Sequence, residues 1–230
     1  MRIAVCMYGK IGGMAGQDGA GESVDAKDCF DSFKKHIIDK NDKIDFFLHS
    51  WDVESNMLLR GLYNPIGAII EEQIVFAKDK LEHQFKSRWY STKISIELKS
   101  KYEWMNGFKY DCVMVNRYDC IFHSDLIFNE TDMRYFWASV SPNRTENDVV
   151  ESDGLHMQDF WFFSNSAAID HLGKVYDECE FGNCHRIAYA HMKKKYEIKH
   201  TLMSARDFDL YRWYKGTDTN YPRKWYRGIR

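Results

Sequence analysis

The chain predicts an α/β fold, one domain in which a mixed, mostly parallel central sheet is flanked by helices. Three observations predict it. Strand and helix signals alternate through most of the sequence, which is the pattern of layered α/β proteins. The run Cys112–Val115 is apolar without interruption, as in strands buried on both faces of a parallel sheet. With 230 residues, 44% of them hydrophobic, the chain suffices for one sizeable core, and no Pro/Ser-rich linker divides it.

Taken in order, Arg2–Tyr8 is a short apolar strand that runs into a glycine-rich loop, GKIGGMAGQDGAGES. Its glycines let the backbone approach a ligand closely, although the spacing matches neither a P-loop nor a clean GxGxxG, and a plain flexible connector is the alternative. Asp25–Ile38 reads as an amphipathic helix with Phe30, Phe33 and Ile37 on one face. Lys43–Leu48 is a second strand, ending in His49-Ser50-Trp51-Asp52 at the strand edge where α/β sheets meet ligands. His49 also suits a purely structural histidine. Ile69–Phe76 is β-prone and predicts an outlying strand, and Ser91–Met105 predicts a helix with Ile94, Leu98, Tyr102 and Met105 inward. The Asn106-Gly107 turn leads into the central strand.

Further on, Tyr135–Val140 predicts a strand, and the long polar loop SPNRTENDVVESDG precedes His156-Met157-Gln158-Asp159 and the aromatic strand Phe160–Phe163. Ser166–Glu178 and Cys184–Tyr196 predict helices, and Glu197–Met203 a last strand. Residues 1–212 form the expected domain, and 213–230 an aromatic, basic tail packing on or near it.

Composition narrows the function classes. A net charge of −2 gives no global field for nucleic acid or a membrane surface. No apolar run approaches the ~18 residues of a transmembrane helix, and the opening MRIAVCMYGK is too short in its apolar part for a signal peptide. Six scattered cysteines suit reduced, buried thiols, so a cytoplasmic protein is expected. Aromatics at 16% exceed what a core of this size needs, so some rings are expected to line a site.

The leading chemistry is Arg117 and Asp119, delivered beyond the central strand into solvent and two residues apart, hence on one face of an extended backbone. A guanidinium and a carboxylate together hold a phosphorylated ligand, directly or through a divalent metal. An ion pair closing the strand is the structural alternative. Asp159, at the mouth of the aromatic strand, suits a catalytic base or an acceptor for sugar hydroxyls, or else a strand-entry aspartate. Asp207-Phe208-Asp209 is the one literal DxD, crowded by Arg206 and Arg212, and reads as a surface salt-bridge cluster. Cys179, Cys184 and His185 form the one local thiol–imidazole cluster, but no second ligand pair accompanies them as in the usual zinc spacings.

The order of these signals resembles glycosyltransferases of the GT-A type, particularly a group from bacterial surface-polysaccharide loci and large DNA viruses. The likeness rests on the strand and glycine loop at the start, Phe47-Leu48-His49-Ser50-Trp51, Tyr90-Ser91, Gly107-Phe108-Lys109-Tyr110-Asp111 leading to Arg117-Tyr118-Asp119, and Asp159-Phe160-Trp161-Phe162. It implies transfer of a sugar from a nucleotide-sugar donor to a saccharide or glycan acceptor. It further implies that Tyr8, Gly9, Lys10, His49 and Trp51 bind the donor, and that Asp119 holds Mn²⁺ or Mg²⁺ against the diphosphate. Arg117 stands where the group has the first Asp of DxD, so it would neutralise the diphosphate itself, and metal dependence is open. Relatives have an acidic residue near Tyr189-Ala190-His191, and no role built on that acid carries over. Two other classes compete: a non-catalytic carbohydrate- or partner-binding module on such a fold, and a sulfotransferase-like enzyme, for which no P-loop spacing exists.

Overall fold

The computed structural model describes residues 1–12, 22–139, 157–201 and 207–215. Most of the glycine-rich loop, the polar loop from Ser141, His156, and the tail beyond Lys215 lie outside the described residues. Seven strands form one sheet. They are β1 (Ile3–Tyr8), β2 (Ile44–Ser50), β3 (Gly67–Ile70), β4 (Cys112–Arg117), β6 (Phe136–Ala138), β7 (Trp161–Ser164) and β8 (Ile198–His200), in the order β3-β2-β1-β4-β7-β6-β8. All pairings among β3, β2, β1 and β4 are parallel; β7 alone runs against its neighbours, between β4 and β6, while β8 pairs parallel with β6. A separate ribbon pairs β5 (Cys120–Phe122) with β9 (Phe208–Leu210).

The expectation that β1, β2 and β4 lie side by side and parallel is met. β1 is an interior strand between β2 and β4, and alternation splits its side chains between two cores. Ile3, Val5 and Met7 face α1 (Ala26–His36), α2 (Asn56–Tyr63) and the ribbon. Ala4, Cys6 and Tyr8 face α3 (Lys80–Asn106), α4 (Ser166–Gly173), α5 (Val175–Glu178) and α6 (Cys184–Lys193). A last short helix, α7 (Tyr211–Tyr214), follows β9.

Capping explains several boundaries. Asp25 accepts the amides of Lys27 and Asp28 at the start of α1, and Asp79 accepts that of Glu82 at the start of α3. Gly107, at φ +66°, ends α3 in the left-handed conformation glycine tolerates. The helix expected from Ser91 therefore starts at Lys80, where its cap is. Lys174 separates α4 from α5 within what the pattern reads as one helix, and β3 covers only the first part of the expected Ile69–Phe76 strand. α2 has no counterpart in the sequence reading. Among the described residues no helix is long and apolar enough to cross a membrane.

The inward face of α3 departs most from expectation. Met105 is 65% exposed, and from Ser91 onward the buried positions are Ser91, Thr92, Ser95, Ile96, Lys99 and Glu103. Each polar one has a partner. Ser95 Oγ donates to the Thr92 carbonyl, and Lys99 Nζ bonds Glu103, Ser166 and Asp170. Glu103 also accepts the Tyr110 amide, tying α3 to the entry of β4. A buried charge is tolerated when so fully paired.

Candidate functional site

Tyr8 and Arg117 are register partners at the carboxyl ends of β1 and β4. Because β7 is antiparallel, its amino end reaches the same edge and brings Asp159 to them. The Tyr8 hydroxyl donates to the Asp159 carbonyl at 2.6 Å, and the Arg117 amide donates to the Phe160 carbonyl at 3.3 Å. On the other side of β1, the Gly9 carbonyl accepts the Trp51 amide at 3.2 Å, which fastens the β1 loop to the end of β2. Gly9 sits at φ +100°, a conformation reserved for glycine. Lys10, next along, is exposed.

Arg88 of α3 joins these groups, and the sequence reading missed it. Its Nε donates to Asp159 Oδ2 at 2.8 Å, and one terminal nitrogen donates to the Tyr8 hydroxyl at 3.0 Å and the Asp159 carbonyl at 3.1 Å. The guanidinium carbon lies 3.8 Å from the Trp89 ring centroid, adding a cation–π contact. The signal was present in Arg88-Trp89-Tyr90-Ser91, but a helix expected to begin at Ser91 left Arg88 outside it. Burial opposes ionisation of Asp159, yet His185, Arg88 and Arg117 together hold its carboxyl well below the usual carboxylate range.

Asp119 corrects an expectation. It is not delivered into solvent: it is 1% exposed, and Arg117 grips both oxygens, Nε to Oδ1 at 2.8 Å and a terminal nitrogen to Oδ2 at 2.7 Å. Arg212 adds a contact to Oδ2 at 3.6 Å. A Cβ built on Gly12 would lie 3.5 Å from the same oxygen, so the backbone at Gly12 comes close to the carboxylate. The physical reason is the sharp turn at Tyr118-Asp119 between β4 and β5, which folds the carboxylate back on its own strand end instead of projecting it. Asp119 offers no free oxygen to a divalent metal in this arrangement, so Mn²⁺ or Mg²⁺ does not fit there. Arg117 keeps 23% of its side chain exposed. Burial alone would lower its pKa, but Asp119 and then Asp159 hold it fully protonated.

His49 and Trp51 stand beside this group in a buried cluster. His49 Nδ1 meets Ser91 Oγ at 2.7 Å, and Ser91 Oγ also accepts the Gly9 amide at 2.7 Å. Trp51 stacks on Tyr90 with centroids 5.5 Å apart. Burial lowers the His49 pKa, so the ring is neutral. Trp51 is 6% exposed, so it shapes the loop from beneath and does not offer a face for stacking.

The literal DxD is also corrected. Phe208–Leu210 is β9, Asp209 is buried, and Asp207 accepts a hydrogen bond from Ser124, so the motif is interior ribbon and not a surface cluster. The thiol–imidazole cluster is divided: Cys179 meets His191, whereas Cys184 and His185 turn to Asp159. The site thus gathers Tyr8, Arg88, Arg117, Asp119 and Asp159 at one sheet edge, with Gly9 and Lys10 on the adjoining loop. No protein-family model matches the chain, and no curated protein is similar to it at a significant level.

Proposed function

We propose that the protein is a glycosyltransferase that moves a sugar from a nucleotide-diphosphate donor to a saccharide or glycan acceptor. The observation that carries this reading is the meeting of Tyr8, Arg117 and Asp159 at the carboxyl ends of the central parallel strands, the edge where such sheets take ligands. As the sugar leaves, negative charge grows on the departing diphosphate. A guanidinium held in place by Asp119 and still partly exposed is preorganised to stabilise that charge. Lys10 supplies a second, exposed cation. No step is assigned to a divalent metal at Asp119. Asp159, ionised and braced by Arg88, accepts a hydrogen bond from a sugar hydroxyl; so low a pKa makes it a weak general base.

A thermal-shift screen of nucleotide sugars, with and without Mn²⁺, followed by assay of nucleoside-diphosphate release, tests the proposal. Stabilisation by a nucleotide sugar without Mn²⁺, lost in Arg117→Ala, is the expected result. Indifference to every nucleotide sugar would count against it. A second reading, a non-catalytic saccharide-binding module, draws on the internal pairing of Arg117 with Asp119 and Arg88 with Asp159. It expects saccharide binding without nucleotide release.

A further inference from the structure

We propose that Asp159, Cys184 and His185 form a binding site for one zinc ion. Their ligand atoms all lie within 4.8 Å of one another. Asp159 Oδ1 is 3.6 Å from His185 Nδ1, and Asp159 Oδ2 is 3.9 Å from Cys184 Sγ. Tetrahedral zinc, with bonds of about 2.0–2.3 Å, sets its ligands roughly 3.3–3.8 Å apart; the Asp159 Oδ1–His185 Nδ1 edge already has that length, and Cys184 completes a set whose atoms lie within 4.8 Å of one another. They come from two elements, the entry of β7 and the first turn of α6, and Asn183 fixes that turn by accepting the amides of His185 and Arg186. His185 Nδ1 is buried and has no hydrogen-bond partner, leaving an orphaned polar atom beside the carboxylate.

The outer contacts suit a metal ligand. Arg88 Nε engages Asp159 Oδ2 and leaves Oδ1 open, so the carboxylate is oriented from behind. Thiolate and imidazole select zinc over Mg²⁺ or Mn²⁺. One thiolate and one carboxylate balance the divalent charge, so Arg88 and Arg117 face a neutral centre. Three protein ligands leave a fourth position for water or substrate. A metal-free thiol nucleophile fits less well: burial and Asp159 push the Cys184 thiol up to about 12, which keeps it protonated and inert. Zinc displaces that proton to solvent when the Zn–S bond forms.

This site rests on ligand geometry and not on the transferase reading. The full chain, stripped with a chelator, is titrated with Co²⁺ and then Zn²⁺ in the absence of any nucleotide. One equivalent of Co²⁺ is expected to give a thiolate-to-cobalt charge-transfer band that Zn²⁺ abolishes. Cys184→Ser should lose the band, His185→Ala should weaken binding about tenfold or more, and Cys179→Ser should change neither, each with an unaltered circular dichroism spectrum. Absence of the band in the wild-type chain, or its persistence in Cys184→Ser, overturns the assignment, as does undiminished affinity in His185→Ala. Failure here leaves nucleotide-sugar binding untouched, and a chain that binds zinc but no nucleotide sugar would separate the two proposals.

Discussion

His49 Nδ1 lies 2.7 Å from Ser91 Oγ, the central contact of a relay four residues long from Gly9 to Glu71. Ser91 Oγ accepts the Gly9 amide, and on the other side of the ring the Glu71 carboxylate can only accept, so the neutral ring keeps its proton on Nε2 and Nδ1 accepts the Ser91 hydroxyl. That Nε2 proton faces Glu71 Oε1 at 3.2 Å. The His-Ser-Trp and Tyr-Ser segments, 40 residues apart in round terms, therefore meet to hold one backbone amide at a left-handed glycine.

Ser91→Ala removes the partner of two buried groups at once. A loss of about 1–3 kcal/mol in unfolding free energy is expected, since each orphaned group pays for its own desolvation. Urea denaturation measures it. If Gly9 belongs to the donor loop, the same variant should weaken nucleotide-sugar binding more than its stability change explains.

Asp119→Ala should destabilise the chain, contrary to what an exposed carboxylate would do. It leaves Arg117 unpaired beside Arg212; because Arg117 is partly hydrated, a cost of about 1–3 kcal/mol is expected, at or below the range for breaking fully buried pairs. A melting temperature equal to the wild type would return Asp119 to the surface.

Asp159→Asn should raise the KM for acceptor while leaving the pH dependence of kcat/KM between about pH 5 and 8 unchanged. The carboxyl is held well below its ordinary range, so it does not titrate in that window. An acidic limb in the wild-type profile that vanishes in the variant would identify Asp159 as the general base after all.

Lys99→Met should cost about 3–5 kcal/mol, because Lys99 and Glu103 are both fully buried and Asp170 leans on the same ammonium. Acid tolerance should move with it. Burial opposes ionisation of both carboxyls. Lys109, Ser166, the Tyr110 amide and Lys99 nevertheless hold Glu103 low, and the Lys99 charge and hydrogen bond hold Asp170 low. A depressed carboxylate contributes stability that is present above its unfolded pKa near 4 and is lost as pH falls through the folded value. Without Lys99 that loss should begin at higher pH, as acid titration of circular dichroism would record.

Much of this architecture is legible in the sequence because apolar runs are. Ile3–Tyr8, Phe46–Leu48 and Cys112–Val115 must be buried on both faces, and only the middle of a parallel sheet does that. The same logic fails on α3, where burial is achieved by pairing: Ser91, Lys99 and Glu103 face inward, and periodicity points to Met105. Arg88 escaped for a related reason, as its importance lies in partners from β1 and β7 that no local pattern announces. Asp119 was placed correctly along the chain, but no local pattern shows how a tight turn directs a carboxylate.

The reversed direction of β7 also governs when the site comes into being. Tyr8 and the carbonyl of Asp159 are separated by 151 residues, and Arg88 and the Asp159 carboxylate by 71. Closing loops of that size is slow and entropically costly. During synthesis, the first strand and the long helix emerge with Tyr8 and Arg88 in place, but without the strand that joins them. The nascent first half of the chain is thus a scaffold with an open seam, and insertion of β7 is the event that brings Tyr8, Arg88 and Asp159 together.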